Sequence, residues 1–129
     1  MEIPKILKYT FIFHFIVSIV FGLWYFLSIE SWAELTGWPF MDPTSGRVMG
    51  AQMIGFGFTS LLGYRAKSWD QVEIIVLGEI VWEVLAAIAM TWMMLVHTDI
   101  PPSGWFLVIL LIVFVVLFGY SCYLAKRQA

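Results

Sequence analysis

The chain is expected to fold as an all-α integral membrane protein, with four transmembrane helices in an antiparallel bundle and a short interfacial helix between the first and second. Three observations predict this. Of its 129 residues, 61% are hydrophobic and 12% charged, against about 25% charged in a soluble domain. The mean hydropathy of +0.89 leaves too little polar surface to cover a water-soluble fold. Finally, four stretches come close to the roughly 20 apolar residues that a helix needs to cross about 30 Å of hydrocarbon. They lie at about 6–29, 44–65, 70–96 and 104–125 of a single domain covering 1–129. No stretch alternates polar and apolar with a period of two, so a strand barrel is not expected.

Each element carries its own signals. Pro4 suits the first turn of the first helix, and Lys5 and Lys8 precede its apolar run. Such a start resembles a signal peptide ending near Ser31-Trp32-Ala33, but the run exceeds the 7–15 residues of a signal core and is expected to stay as a span. Ser31 and Glu34 make a capping-box pattern, and Gly37 is a natural stop. A surface helix at about 31–37 follows, with Trp32, Leu35 and Trp38 dipping into the interface. Asp42 before Pro43 places an N-cap ahead of a proline at the first helical position. Ser68 and Gln71 form a second capping-box pattern, and Pro101-Pro102-Ser103 opens the last helix.

The basic residues set the direction. Lys5, Lys8, Arg65, Lys67, Lys126 and Arg127 fall on one side of four spans, and only Arg47 on the other. Positive charge accumulates on the cytoplasmic face, so both termini are expected in the cytoplasm, with the protein in the cell membrane.

Composition excludes other classes. The lone cysteine, Cys122, allows no internal disulfide or dithiol pair. There is no HExxH, no Cys-x-x-Cys and no phosphate-binding glycine loop. The two histidines, His14 and His97, fall on opposite sides of the bilayer, so no haem, metal or other cofactor is expected. Nucleic acid is not an expected partner. The lipid bilayer is, together with a second copy or another membrane subunit docked on the fourth helix, which is apolar all round from Phe106 to Phe118.

The candidate site consists of polar residues placed where they are costly. If hydrocarbon begins near Ile74, a rise of 1.5 Å per residue puts Glu79 roughly 7 Å deep and Glu83 roughly 13 Å deep. Spacing of four puts both on one face, and an acid at that depth costs about 2.5–3.5 kcal/mol unless it faces the interior. On the same ruler His14 lies level with Glu79, while Ser18 and Thr59 lie near Glu83. Arg47, Ala51, Gly55, Thr59 and Gly63 form a stripe of mostly small residues expected to be the packing face of the second helix. Arg47 heads it and is expected to reach toward Glu83, with Gln52 between. His14, Ser18, Arg47, Gln52, Thr59, Glu79 and Glu83 are therefore the candidate ligand- or proton-binding residues. Ala51, Gly55 and Gly63 are the candidate packing residues. The methionines, among them Met49, Met53, Met90, Met93 and Met94, read as core filler.

The opening of the second span, Arg47-Val48-Met49-Gly50-Ala51 followed by Gly55-x-Gly57, resembles that of DoxX-like small four-helix membrane proteins. The resemblance extends to length and helix number and implies the same four-span fold, without implying an activity. Small multidrug transporters also have four short helices, but their essential glutamate lies on the first, where this chain has none. Three functions are consistent with the residues. The buried Glu/His/Arg group binds or translocates a proton, cation or small cationic ligand. Alternatively the protein is an accessory subunit of a larger membrane complex, or an acid–base enzyme acting on a lipid-like substrate. No catalytic residue is singled out.

Overall fold

The computed structural model describes residues 1–39 and 42–128. Four helices account for nearly all of them: α1 (Lys5–Thr36), α2 (Pro43–Arg65), α3 (Glu73–Val96) and α4 (Gly104–Arg127). A single 3-10 turn, Trp69–Gln71, precedes α3, and there is no strand among the described residues. Three of the helices, α1, α3 and α4, are long and apolar enough to cross a membrane. The glycines, serines and threonines of α2 dilute its hydropathy.

The expected short helix is present as the last turns of α1, set off from the long part by a break at Ser28, where φ is −152° and ψ is 57°, and ending at Thr36. Local hydroxyl chemistry accounts for the break. The Ser31 hydroxyl donates to the Ser28 carbonyl at 2.8 Å and accepts from the Ser28 hydroxyl and from Trp24 Nε1, both at 2.9 Å. Serine side chains that bond nearby backbone groups compete with the helical ladder and bend it. Ser31 is thus engaged at the kink rather than in a capping box. Gly37 does end α1, in the left-handed conformation at φ 72°. Trp32 does not dip into an interface: it is buried with Ile29 and Ala33, against Tyr25 and Trp38.

The start of α2 follows the sequence signal. The Asp42 carboxylate accepts from the backbone N–H of Thr44 at 3.2 Å and of Ser45 at 3.0 Å, and from the Ser45 hydroxyl. These donors, the hydroxyl first, hold its carboxyl below the usual range. A depressed folded-state pKa stabilises above the unfolded value and is lost as the pH falls through the folded one. Acidification below the ordinary carboxylate range is therefore expected to lower the melting temperature of the wild type more than that of Asp42→Asn, read by circular dichroism in detergent. Equal acid slopes would remove the cap's role. The second capping box is incomplete: Gln71 accepts from the backbone N–H of Lys67 at 2.9 Å, not from Ser68.

Packing divides the molecule into two helix pairs. α1 and α2 run against each other along their length, and α3 packs mainly on α4, while α2 and α3 scarcely touch. The α1–α2 contact is backbone on backbone. A Cβ added at Gly50 would stand 2.5 Å from the Phe26 nitrogen and 2.7 Å from the Gly22 carbonyl oxygen. Gly46 abuts Ile29, Gly57 abuts Ile19 and Ser18, and Gly63 abuts the Phe11 ring. Gly63 was expected on this face. Ala51 and Gly55 were expected there too but are exposed, and nothing lies within 4 Å of a Cβ built at Gly55.

One end is closed by a core of Leu7, Phe11, Trp69, Val72, Val76, Phe114, Phe118 and Ala125. There the Trp69 N–H donates to the Met1 carbonyl at 3.0 Å. Lys8 Nζ donates to the carbonyls of Tyr64, at 2.5 Å, and Ala66, which satisfies the C-terminal turn of α2. α4 was expected to turn only to lipid or a partner. Its Val108, Phe114, Phe118, Ser121 and Ala125 are instead buried in the protein, with Phe106, Ile109, Ile112 and Val116 on the exposed side.

Candidate functional site

The buried stripe of α1 runs Leu7, Phe11, His14, Ser18, Gly22, in steps of four and three that keep to one helix face. Glu79 and Glu83, one turn apart, are two of the three buried residues of α3. These stripes meet at His14. Its Nε2 is 3.7 Å from Glu79 Oε2 and 3.3 Å from Glu83 Oε1. His14 is 4% exposed, Glu79 1% and Glu83 3%. Both carboxylate oxygens of Glu79 and Oε2 of Glu83 have no hydrogen-bond partner among the described residues. Buried polar atoms are ordinarily paired, so three orphaned oxygens around one imidazole mark an unusual site.

The imidazole is held from its far side. Its Nδ1 lies 2.8 Å from the Ser60 hydroxyl of α2, and Ser18 Oγ is 3.3 Å from Nε2. Phe114 and Phe118 of α4 set their rings nearly perpendicular to it at 4.8 and 5.5 Å. The ring is therefore fixed by three helices and presented to the acids of the fourth. The Thr59 hydroxyl, expected among these groups, donates to the Phe56 carbonyl of its own helix at 2.8 Å.

Arg47 and Gln52 do not join this group. Arg47 forms a two-pronged ion pair with Glu30, at 2.9 and 3.1 Å, and Gln52 is exposed. The break at Ser28 lies just before Glu30, and the guanidinium meets an exposed partner there instead of reaching into the protein. The positive charge expected above Glu83 is thus absent among the described residues. Among the described residues, His14 is the site's only basic group.

A cavity of about 350 Å³ extends from His14 and Glu83 toward the Arg47 end of the molecule. All four helices line it, with Val17, Phe21 and Tyr25, Met49, Met53 and Phe56, Trp82, Ala86 and Met90, and Leu107, Leu111 and Phe114. Its wall is apolar except where His14, Ser18 and Glu83 enter. Phe56 and Trp82, with ring centroids 5.7 Å apart, bridge the sparse α2–α3 seam beside Glu83. Four of the methionines expected as filler, Met49, Met53, Met90 and Met93, line this space.

Ser60, Phe114, Phe118 and Trp82 were not singled out from the sequence. Ser60 had a signal: it stands three residues after Gly57 and three before Gly63, on the face that those glycines share. The aromatic residues of α4 had none, being embedded in a uniformly apolar run. Compared with protein-family profiles, curated proteins and solved structures, the chain matches none. The reading of the site rests on its geometry.

Proposed function

We propose that this is a membrane protein that binds a cationic species at the centre of its hydrocarbon-embedded domain, on Glu79, Glu83 and His14. The observation that carries the reading is that Glu79 and Glu83, both buried, each bring one carboxylate oxygen to His14 Nε2, while three of their four oxygens have no hydrogen-bond partner among the described residues, beside a largely apolar cavity. Ionisable groups within a span face the interior because lipid cannot solvate them, and they mark ion, proton or ligand sites. The cavity supplies the space through which a proton, a cation or a small cationic ligand reaches or crosses that level.

In this reading α2 also spans the bilayer. Its 23 residues extend about 34 Å, and it packs along α1 from Phe11 to Ile29. The four helices then form an antiparallel bundle, with the six clustered basic residues and both termini on the cytoplasmic side. Arg47, Glu30 and the mouth of the cavity face outward. The exposed apolar side of α4 meets lipid, a second copy or another membrane subunit. An acid–base reaction on a lipid-like substrate is the second reading, favoured by the size and apolar wall of the space above Glu83 and His14.

Trp82 lines the cavity with Glu83, so binding is readable by tryptophan fluorescence in lipid nanodiscs. The wild type is expected to show a saturable change with at least one of sodium, potassium, magnesium, zinc or tetramethylammonium, and Glu83→Gln to show none. No response to any of them, or a response that survives in Glu83→Gln, would overturn the reading. Flux of the same ion into liposomes then separates binding from passage. A lipid-like molecule retained by the wild type and lost in Glu83→Gln would favour the enzyme instead.

A further inference from the structure

We propose that His14, Glu79 and Glu83 form a binding site for one divalent first-row transition-metal ion, of which zinc is the representative, with an open coordination position facing the cavity. The proposal rests on the cationic reading of the site and names the class of cation. One ligand atom from each of the three residues can be chosen so that all lie within 4.8 Å of one another. Zinc takes nitrogen and oxygen at about 2.0–2.2 Å, which places two donors at a tetrahedral angle about 3.4 Å apart. The distances from His14 Nε2 to the two carboxylates, 3.3 and 3.7 Å, bracket that separation.

Charge selects the valence. Deprotonated as metal ligands must be, the two buried carboxylates carry −2, and a dication brings the cluster to neutrality, whereas a monovalent ion leaves a net buried charge. Donor type selects the metal. Magnesium and calcium favour shells made of oxygen, and an imidazole nitrogen among three protein ligands directs the site to zinc, iron, manganese or cobalt.

The environment of His14 has the form of a ligand histidine. Such a residue commonly fixes its second ring nitrogen through a hydrogen bond outside the metal shell. Here Nδ1 meets Ser60 Oγ at 2.8 Å. With the Nδ1–H donated to Ser60, the Nε2 lone pair, which the Ser18 hydroxyl reaches at 3.3 Å, also faces two carboxylate oxygens, an arrangement that a cation among them would favour. Three protein donors leave a further position open, as in catalytic rather than structural metal sites. His14 and Glu83 border the cavity while Glu79 closes the site from behind, so the open position faces the apolar space. No sequence motif announces the site, because its ligands come from α1 and α3 at unrelated spacings.

The experiment titrates cobalt(II), as a spectroscopic probe, into the full-length chain, stripped with chelator and held in lipid nanodiscs. One equivalent is expected to bind, to show the intense visible bands of four- or five-coordinate cobalt, and to be displaced by zinc. Glu79→Gln and His14→Ala are expected to abolish those bands. Ser60→Ala, which only loosens the imidazole, is expected to weaken binding about 10- to 100-fold. His97→Ala, the other histidine, is expected to leave the bands unchanged. Melting temperatures of each variant separate lost binding from lost folding. Failure to saturate, bands that persist in Glu79→Gln, or bands lost only in His97→Ala would overturn the metal assignment. Should cobalt and zinc leave the protein unaffected while sodium, potassium or tetramethylammonium gives the Glu83-dependent response, the metal is wrong and the cationic site stands. Silence toward every cation removes both.

Discussion

Gly50→Val is expected to destabilise the protein by about 3 kcal/mol, at the upper end of the usual cost of overpacking. The reason is what the new side chain would meet. A Cβ at this position comes within 2.5 Å of the Phe26 nitrogen, 2.7 Å of the Gly22 carbonyl oxygen and 3.0 Å of the Phe26 Cα. All three are main-chain atoms, so no rotamer change can make room and the axes of α1 and α2 must separate. Ser60 sits on the same face of α2, and the separation would also draw it away from His14. Thermal or denaturant unfolding in detergent, followed by helical signal, provides the measurement. Gly55→Val is the matched control, because nothing lies within 4 Å of its Cβ. Equal unfolding of the two variants would show that close approach at Gly50 is not what joins the helices.

Glu79→Met has the opposite sign. This variant is expected to be more stable than the wild type by about 1–3 kcal/mol in metal-free buffer, the penalty of burying a polar group without a hydrogen-bond partner, because His14 and Glu83 remain to pair with each other. Glu79 is 1% exposed and neither of its oxygens has a hydrogen-bond partner among the described residues, so its removal sacrifices little. The same change is expected to eliminate cobalt binding. Adding zinc should raise the melting temperature of the wild type and leave Glu79→Met where it was, since a ligand stabilises only the state that binds it. If Glu79→Met unfolds more easily than the wild type, the glutamate serves as interhelical glue and the proposed trade of stability for binding fails.

Depth along a helix proved more legible in the sequence than rotation about it. The rise per residue is fixed, so counting inward from the ends brings His14 to the height of Glu79 and Ser18 to that of Glu83, and the structure finds His14 between the two acids, slightly nearer Glu83. Rotation is harder because a step of four overshoots a full turn by about 40°. The stripe Arg47, Ala51, Gly55, Thr59, Gly63 therefore winds around α2 and reaches the α1 contact only at its end. The true contact mixes steps of four, seven and three, through Gly46, Gly50, Gly57, Ser60 and Gly63. Arg47 shows a second limit. Its partner depends on the break at Ser28, which arises from serine hydroxyls bonding locally and has no hydropathy signature. For α4 the pattern carried no directional signal at all, and only packing reveals that Phe114 and Phe118 turn inward.

The unequal seams give the molecule a preferred direction of compliance. α1 and α2 meet main chain to main chain and behave as a stiff wall. α3 packs on α4 and touches α2 little, with Phe56 and Trp82 as the bridge beside the acids. A guest that swells the cavity is accommodated most cheaply by the second pair swinging away from the first, about the tightly packed Trp69 end. His14 belongs to the first pair and both glutamates to the second, so in the proposed reading a guest that parted the pairs would also draw the histidine away from the acids.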